Sequence, residues 1–297
     1  MPGKVLISGA SGLIGSALVS RLRANHWNVT RLARASSPAQ ETVAWDPNKP
    51  LAPDQVSGFD AVVHLAGETI VGRWTESKKH AIRASRVNGT RNLSEALAKP
   101  LQRPGVFVCA SAIGFYGDRG DEILREESAF GQGFLPEVCR EWEAATKPAS
   151  DAGIRTAQTR FGIVLSPEGG ALAKMLMPFK LGVGGNMGSG RQWWSWVHLQ
   201  DVVGAIEHVL NTASLQGPVN VVGPNPVTNA EFTKILGSVL SRPTIFPMPA
   251  IVARTVLGQM ADELLLASQR VEPAKLLSSG YAFQWPDLRQ SLQALLQ

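Results

Sequence analysis

Lys4-Val5-Leu6-Ile7-Ser8 runs directly into Gly9-Ala10-Ser11-Gly12-Leu13-Ile14-Gly15, and this stretch restricts the fold of the 297-residue chain more tightly than any other. A short apolar run reads as a strand, and three glycines follow at three-residue spacing. Ile14, Ala17, Leu18 and Leu22 then share one helical face, with Arg21 and Arg23 off it. Strand, glycine turn and helix together make a dinucleotide-binding unit. A tight turn needs positive φ, a phosphate must approach bare backbone, and the helix must pack closely so that its free N–H groups face the pyrophosphate.

The next strand is expected over Trp27 to Arg34. An acidic side chain at its end would accept the ribose hydroxyls of NAD, but no acid occurs there before Glu41. Arg31 and Arg34 do occur, beside Ser36 and Ser37, and a guanidinium here can pair with a 2′-phosphate. Arg34, just past the strand, is the better placed, so NADP is expected over NAD. The alternative is that both arginines are solvated surface.

Composition narrows the class of partner. The net charge is +5, yet the basic residues are scattered and form no run or aromatic-interleaved stripe, so nucleic acid is not an expected partner. Cys109 and Cys139 offer neither metal spacing nor a disulfide framework. Met1 to Gly3 is too short for a signal peptide, and no apolar run reaches the roughly 18 residues of a membrane span. The expectation is a cytoplasmic protein with no membrane partner, monomeric or homodimeric, acting on a small molecule.

Further along, Asp60 to Gly67 reads as a parallel strand covered on both faces, with His64 as a core imidazole. A loop and long helix follow over Trp74 to Ala98. Val106 to Ser111 is a strand ending in a serine, where parallel strands place ligand-binding groups. Glu137 to Thr146 reads as a helix stopped by Lys147-Pro148, and Arg155 to Leu165 as one more strand. The alternation predicts an α/β fold, a Rossmann-type doubly wound parallel sheet. From Ser166 the character changes. A helix over Ala171 to Leu181 opens into a glycine-rich segment before Trp193, Trp194 and Trp196, either a mobile loop on an aromatic wall or a packed aromatic corner. Asp201 to Leu210 and Val219 to Val222 return to the main sheet, and Thr228 with Glu231 makes a capping box. The expected division is a dinucleotide-binding domain over 1–165 and 197–223, with a smaller, discontinuous substrate or lid domain over 166–196 and 224–297.

These residues resemble an extended short-chain dehydrogenase/reductase of the NAD(P)-dependent epimerase/dehydratase superfamily. The resemblance is strongest to the 39U1-type epimerase family proteins with their uncharacterised C-terminal domain. Its markers are Gly9-x-x-Gly12-x-x-Gly15, Leu65-Ala66-Gly67-Glu68, Ser85-Arg86 before Gly89-Thr90, Ser111-Ala112-x-x-x-Tyr116-Gly117, Trp142-Glu143 and Trp196-Val197-His198-x-x-Asp201-Val202. The resemblance implies NADP(H) lying across Gly9, Ser11, Gly12, Leu13, Ile14, Gly15, Ala33, Arg34, Leu65, Ala66, Gly67, Glu68, Arg86, Ser111 and the Phe161-Gly162-Ile163 strand end.

The catalytic part departs from the pattern. Typical members pair a serine with Tyr-x-x-x-Lys, whose lysine lowers the tyrosine pKa for proton exchange. The chain has two tyrosines, Tyr116 and Tyr281, neither followed by such a lysine, and the expected tyrosine and lysine positions fall near Leu135 and Cys139. Arg86 stands where typical members carry asparagine, to hold an anion or to brace the cofactor. Ser111 and Tyr116 remain the catalytic candidates. Two readings follow: an oxidoreductase or epimerase acting on a small carbonyl or sugar-like substrate, or an NADPH-binding sensor with little or no chemistry.

Overall fold

The computed structural model describes residues 3–34 and 41–297; Ser36 and Ser37 lie outside the described residues. In chain order the first elements are β1 (Lys4–Ser8), α1 (Leu13–Ala24), β2 (Asn28–Ala33), β3 (Thr42–Ala44), β4 (Ala61–His64), α2 (Glu76–Ala98) and β5 (Val106–Ala112). Next come β6 (Ile123–Leu124), α3 (Phe134–Ala144), α4 (Lys147–Asp151), β7 (Arg155–Phe161), β8 (Ile163–Leu165) and α5 (Gly170–Lys180). The remainder is β9 (Trp193–Trp194), β10 (Trp196–His198), α6 (Leu199–Asn211), β11 (Gly217–Val221), β12 (Val227–Thr228), α7 (Asn229–Leu240), α8 (Ala250–Leu257), β13 (Arg270–Val271), α9 (Ala274–Ser278) and α10 (Leu288–Leu296).

Seven strands pair in the order β11-β7-β5-β4-β1-β2-β3, all parallel. Val5 and Ile7 pack with Leu18 and Leu22 of α1 and with Val202 and Ile206 of α6. Leu6, Val62 and Phe107 face the opposite layer, where Leu93 and Leu97 of α2 and Trp142 of α3 cover them. Burial on both faces explains the unbroken apolar runs of these strands. Order reverses between β1 and β4, the switch point of a doubly wound sheet.

Several boundaries move for identifiable reasons. The run Arg155 to Leu165 is two strands with different partners, β7 pairing with β5 and β11, and at the break only a glycine leaves room for the Ser195 carbonyl, 2.4 Å from where a Cβ on Gly162 would stand. Beyond Gly162, β8 leaves the main sheet and pairs with β10. Lys147-Pro148 opens α4 with its proline in the first turn, where a missing N–H costs nothing, instead of merely ending a helix. The short edge strand β3 carries too few residues to announce itself in sequence. Two of the three tryptophans form a packed corner: Trp194 and Trp196 are buried, and Trp194 meets Phe232 edge-on at 5.3 Å, while Trp193 stays partly exposed beneath Arg270. The Thr228–Glu231 capping box is present, and α6 packs in the main core as expected.

Candidate functional site

The carboxyl ends of β1, β2, β4, β5 and β7 bring most of the sequence candidates to one edge of the sheet. At β1, Gly9 takes φ +69°, and a Cβ there would lie 2.7 Å from the backbone between Leu65 and Ala66. A Cβ on Gly15 would meet the Gly9 carbonyl at 2.1 Å. Gly12 is the N-cap of α1; no side chain caps that helix and its first turn carries no acid. The first-turn N–H groups therefore lack a built-in acceptor, and the positive end of the helix faces bare backbone. A pyrophosphate fits this cradle. At the end of β2, Ala33 is partly buried and Arg34 exposed, and beyond β4 the Glu68 carboxyl is held below its usual range. The main cause of that depression is Lys78, which donates to Glu68 Oε1 at 2.7 Å, with smaller contributions from the Arg86 and Arg34 charges.

Ser8 fixes the turn after β4. Its Oγ accepts from the Leu65 and Ala66 N–H groups, so its own hydrogen goes to His64 Nδ1 at 2.5 Å. His64 is fully buried, and burial pushes its pKa down to about 4, keeping the imidazole neutral as a core residue. Arg86 reaches back from α2 and donates to the Glu68 carbonyl at 2.9 Å, with its guanidinium 5.1 Å from the Trp142 ring. It braces the Gly67-Glu68 turn.

At the end of β5, Ser111 donates to Glu143 Oε1 at 2.7 Å. Arg160 of β7 holds the same carboxylate at two points, Nε to Oε1 and Nη2 to Oε2, each 2.8 Å. Arg160 Nη1 then donates to the Tyr116 hydroxyl at 2.8 Å, which lies 2.8 Å from Asn220 Oδ1. Tyr116 is fully buried, and burial pushes its phenol up to about 12. Its hydroxyl is committed inside this chain of bonds, apart from the exposed edge. On α3, Leu135 and Cys139 are both buried, and burial pushes the Cys139 thiol up to about 12. An alkyl group and a neutral thiol thus occupy the positions where the resemblance places tyrosine and lysine.

Between α3 and the C-terminal segments lies a cavity of about 220 Å³, lined by Gly114, Leu135, Pro136, Arg254, Asp262 and Glu263. Glu263 also receives the Phe134 and Leu135 amides, at 3.0 and 2.7 Å, and so caps α3 from far along the chain. Sequence reasoning missed Glu263 because its partner is 128 residues away. It also missed the Glu143–Arg160 pairing, since nothing local signals it. Among the described residues, no group of three or more His, Cys, Asp or Glu could hold a metal ion.

A model of the NAD dependent epimerase/dehydratase family matches residues 5–223, from the first strand through the last strand of the main sheet. The chain belongs to that family. Residues 248–295 of this epimerase/dehydratase-family chain match a domain of unknown function (DUF1731). It is 41% identical over 290 residues to the epimerase family protein Mb2239 of Mycobacterium bovis, covering 97% of this chain and 96% of the relative. Human epimerase family protein SDR39U1 (isoform 2), crystallised with NADPH, superposes with a TM-score of 0.91 at 34% identity, over 98% of both chains. A nucleoside-diphosphate sugar epimerase from Corynebacterium glutamicum gives 0.85 at 41% identity, over 100% of this chain and 58% of that one.

Proposed function

We propose that this family member binds NADP(H) along the carboxyl edge of its sheet and acts as an oxidoreductase or epimerase on a small carbonyl or sugar-like molecule. The observation that carries the reading is the cradle of Gly9 and Gly15 beneath an uncapped helix terminus, with Arg34 rather than an acid beside it. The human relative crystallised with NADPH supports it. Gly9, Ser11, Gly12, Leu13, Ile14 and Gly15 would hold the pyrophosphate, and Ala33 and Arg34 the 2′-phosphate ribose. Leu65, Ala66, Gly67, Glu68 and Arg86 would wall the adenosine side, and Ser111 with Phe161, Gly162 and Ile163 the nicotinamide end. When bound, the nicotinamide supplies hydride exchange at its C4. Ser111 offers a polar group at the end of β5; with its hydrogen given to Glu143, its Oγ would accept from a substrate hydroxyl. Tyr116 serves through Arg160 as a positioning residue.

The substrate would sit in the cavity between α3 and the C-terminal segment, taken as the substrate domain over 166–196 and 224–297. That cavity of about 220 Å³ falls below the roughly 300 Å³ lower bound for drug-sized ligands, which favours a small molecule over a whole nucleotide sugar. Titration of NADPH by its fluorescence, followed by nicotinamide absorbance with a panel of small carbonyls and alcohols, tests the reading. Failure to bind NADPH would end it, and turnover unaffected by Ser111→Ala would remove the role given to Ser111.

A second reading has its own observation. Leu135 and the neutral Cys139 thiol stand where the resemblance places the tyrosine and lysine, which favours an NADPH-binding sensor. It requires that NADPH and NADP⁺ produce different protection of the C-terminal segment in hydrogen exchange, and identical patterns would exclude it.

A further inference from the structure

One face of the C-terminal half leaves large apolar side chains uncovered. Ile245 is 73% exposed, Met177 and Leu181 are 70%, Ile251 is 68%, Val256 is 62% and Phe246 is 56%. These residues lie together. Arg242 Nε donates to the Lys180 carbonyl at 2.9 Å, and the Phe246 and Met248 amides donate to the Gly184 and Asn186 carbonyls. The extended link before α8 is thereby stitched along the end of α5. The helix α8 then turns Ala253 inward and Ile251, Val252 and Val256 outward. Scattered exposed apolar residues need no explanation, but a contiguous apolar patch marks a contact surface.

The charges around the patch identify what it contacts. No Asp or Glu occurs from Gly169 to Gln200 or from Phe232 to Ala261, while those stretches carry Lys174, Lys180, Arg191, Lys234, Arg242 and Arg254. All six are exposed, and Arg254 alone of them is ion-paired among the described residues, with Asp262 at 2.8 Å. A second copy docking through the same face would bring two uncompensated cationic surfaces together. An anionic lipid surface matches both features: apolar side chains enter the boundary between headgroups and acyl chains, and lysines and arginines meet the phosphates. No helix among the described residues is long and apolar enough to cross a membrane, so the contact is peripheral.

We propose that the face built by α5, the 242–249 link and α8 docks this protein on anionic lipid bilayers. This goes beyond the expectation of no membrane partner, because exposure at these positions is a property of the fold and the sequence pattern does not display it. The proposal is independent of the cofactor reading.

Flotation with phosphatidylcholine vesicles containing about 30 mol% phosphatidylglycerol, beside pure phosphatidylcholine vesicles, tests it. Wild-type protein should float with the anionic vesicles at least about ten-fold more than with the neutral ones, and added salt should weaken that several-fold. The double variant Phe246→Asp/Ile251→Asp should lose about ten-fold of the binding, and Lys174→Glu/Lys180→Glu should lose the preference for anionic lipid. All four positions are exposed, so melting temperature and NADPH titration should stay as in wild type, and both are measured alongside. No flotation, equal flotation with both vesicles, or flotation that the variants leave unchanged would overturn the proposal. So would a wild-type dimer that fails to float and that Phe246→Asp/Ile251→Asp dissociates, which would assign the face to a second copy.

Discussion

Glu143 and Arg160 meet in a two-point ion pair between α3 and β7, with side chains only 14% and 3% exposed. Ser111 donates to the same carboxylate, and the Arg160 guanidinium lies 3.5 Å from the Phe115 ring centroid. One pair thus ties the end of β5, the turn after it, α3 and β7 into a single unit beneath the candidate nicotinamide end.

Removing one partner leaves the other charge buried and unpaired. Arg160→Met should therefore cost about 3–5 kcal/mol, read as a lower urea midpoint. Glu143→Leu with Arg160→Met should recover most of that loss, because an apolar pair of similar volume needs no desolvation. Equal instability of the single and double variants would show that the geometry, and not the unpaired charge, is what fails.

Gly15→Ala should damage the dinucleotide site most, since its Cβ would press on the Gly9 carbonyl at 2.1 Å. NADPH affinity should fall at least about ten-fold as the turn shifts. Gly12→Ala should be milder, because its nearest contact is 3.4 Å and its φ of −77° suits any residue. Fluorescence titration of the two variants checks the order.

Arg34→Ala should weaken NADPH by about 10- to 100-fold, the worth of a charge-assisted phosphate contact, and leave NADH nearly unchanged. Parallel titrations with the two dinucleotides measure the difference. Equal losses would assign Arg34 to general surface charge.

Acid should destabilise the fold through its buried imidazoles. Burial pushes His64 and His198 down to about 4 from an ordinary 6.5. Between those values the unfolded chain binds protons that the folded chain refuses, so stability is complete above pH 6.5 and falls as pH drops through the window. His64 alone contributes up to about 3 kcal/mol of that loss by pH 4. Denaturant midpoints against pH should show a shallower acid slope in His64→Gln, with the remaining slope due in part to His198.

Phe232 and Leu236 of α7 show how far pattern reading extends: helical spacing and the Thr228–Glu231 box mark the helix, and both side chains are buried. The same reading misses β3, three residues long, whose strand character comes from pairing with β2. It also merges β7 with β8, because only the approach of the Ser195 backbone reveals what Gly162 is for.

The sequence by itself determined the parallel α/β class and the dinucleotide turn, because apolar periodicity and glycine spacing act over a few residues. It also showed that neither Tyr116 nor Tyr281 is followed by a lysine four residues on, since residue spacing is visible without coordinates. Tertiary structure decided the rest. It sealed Tyr116 away from the edge, joined Ser111 to Glu143 and Arg160, set Glu263 on the start of α3, and left Phe246 and Ile251 facing out. Each of these depends on contacts between distant parts of the chain or on which side of an element remains uncovered, and neither is written in local spacing.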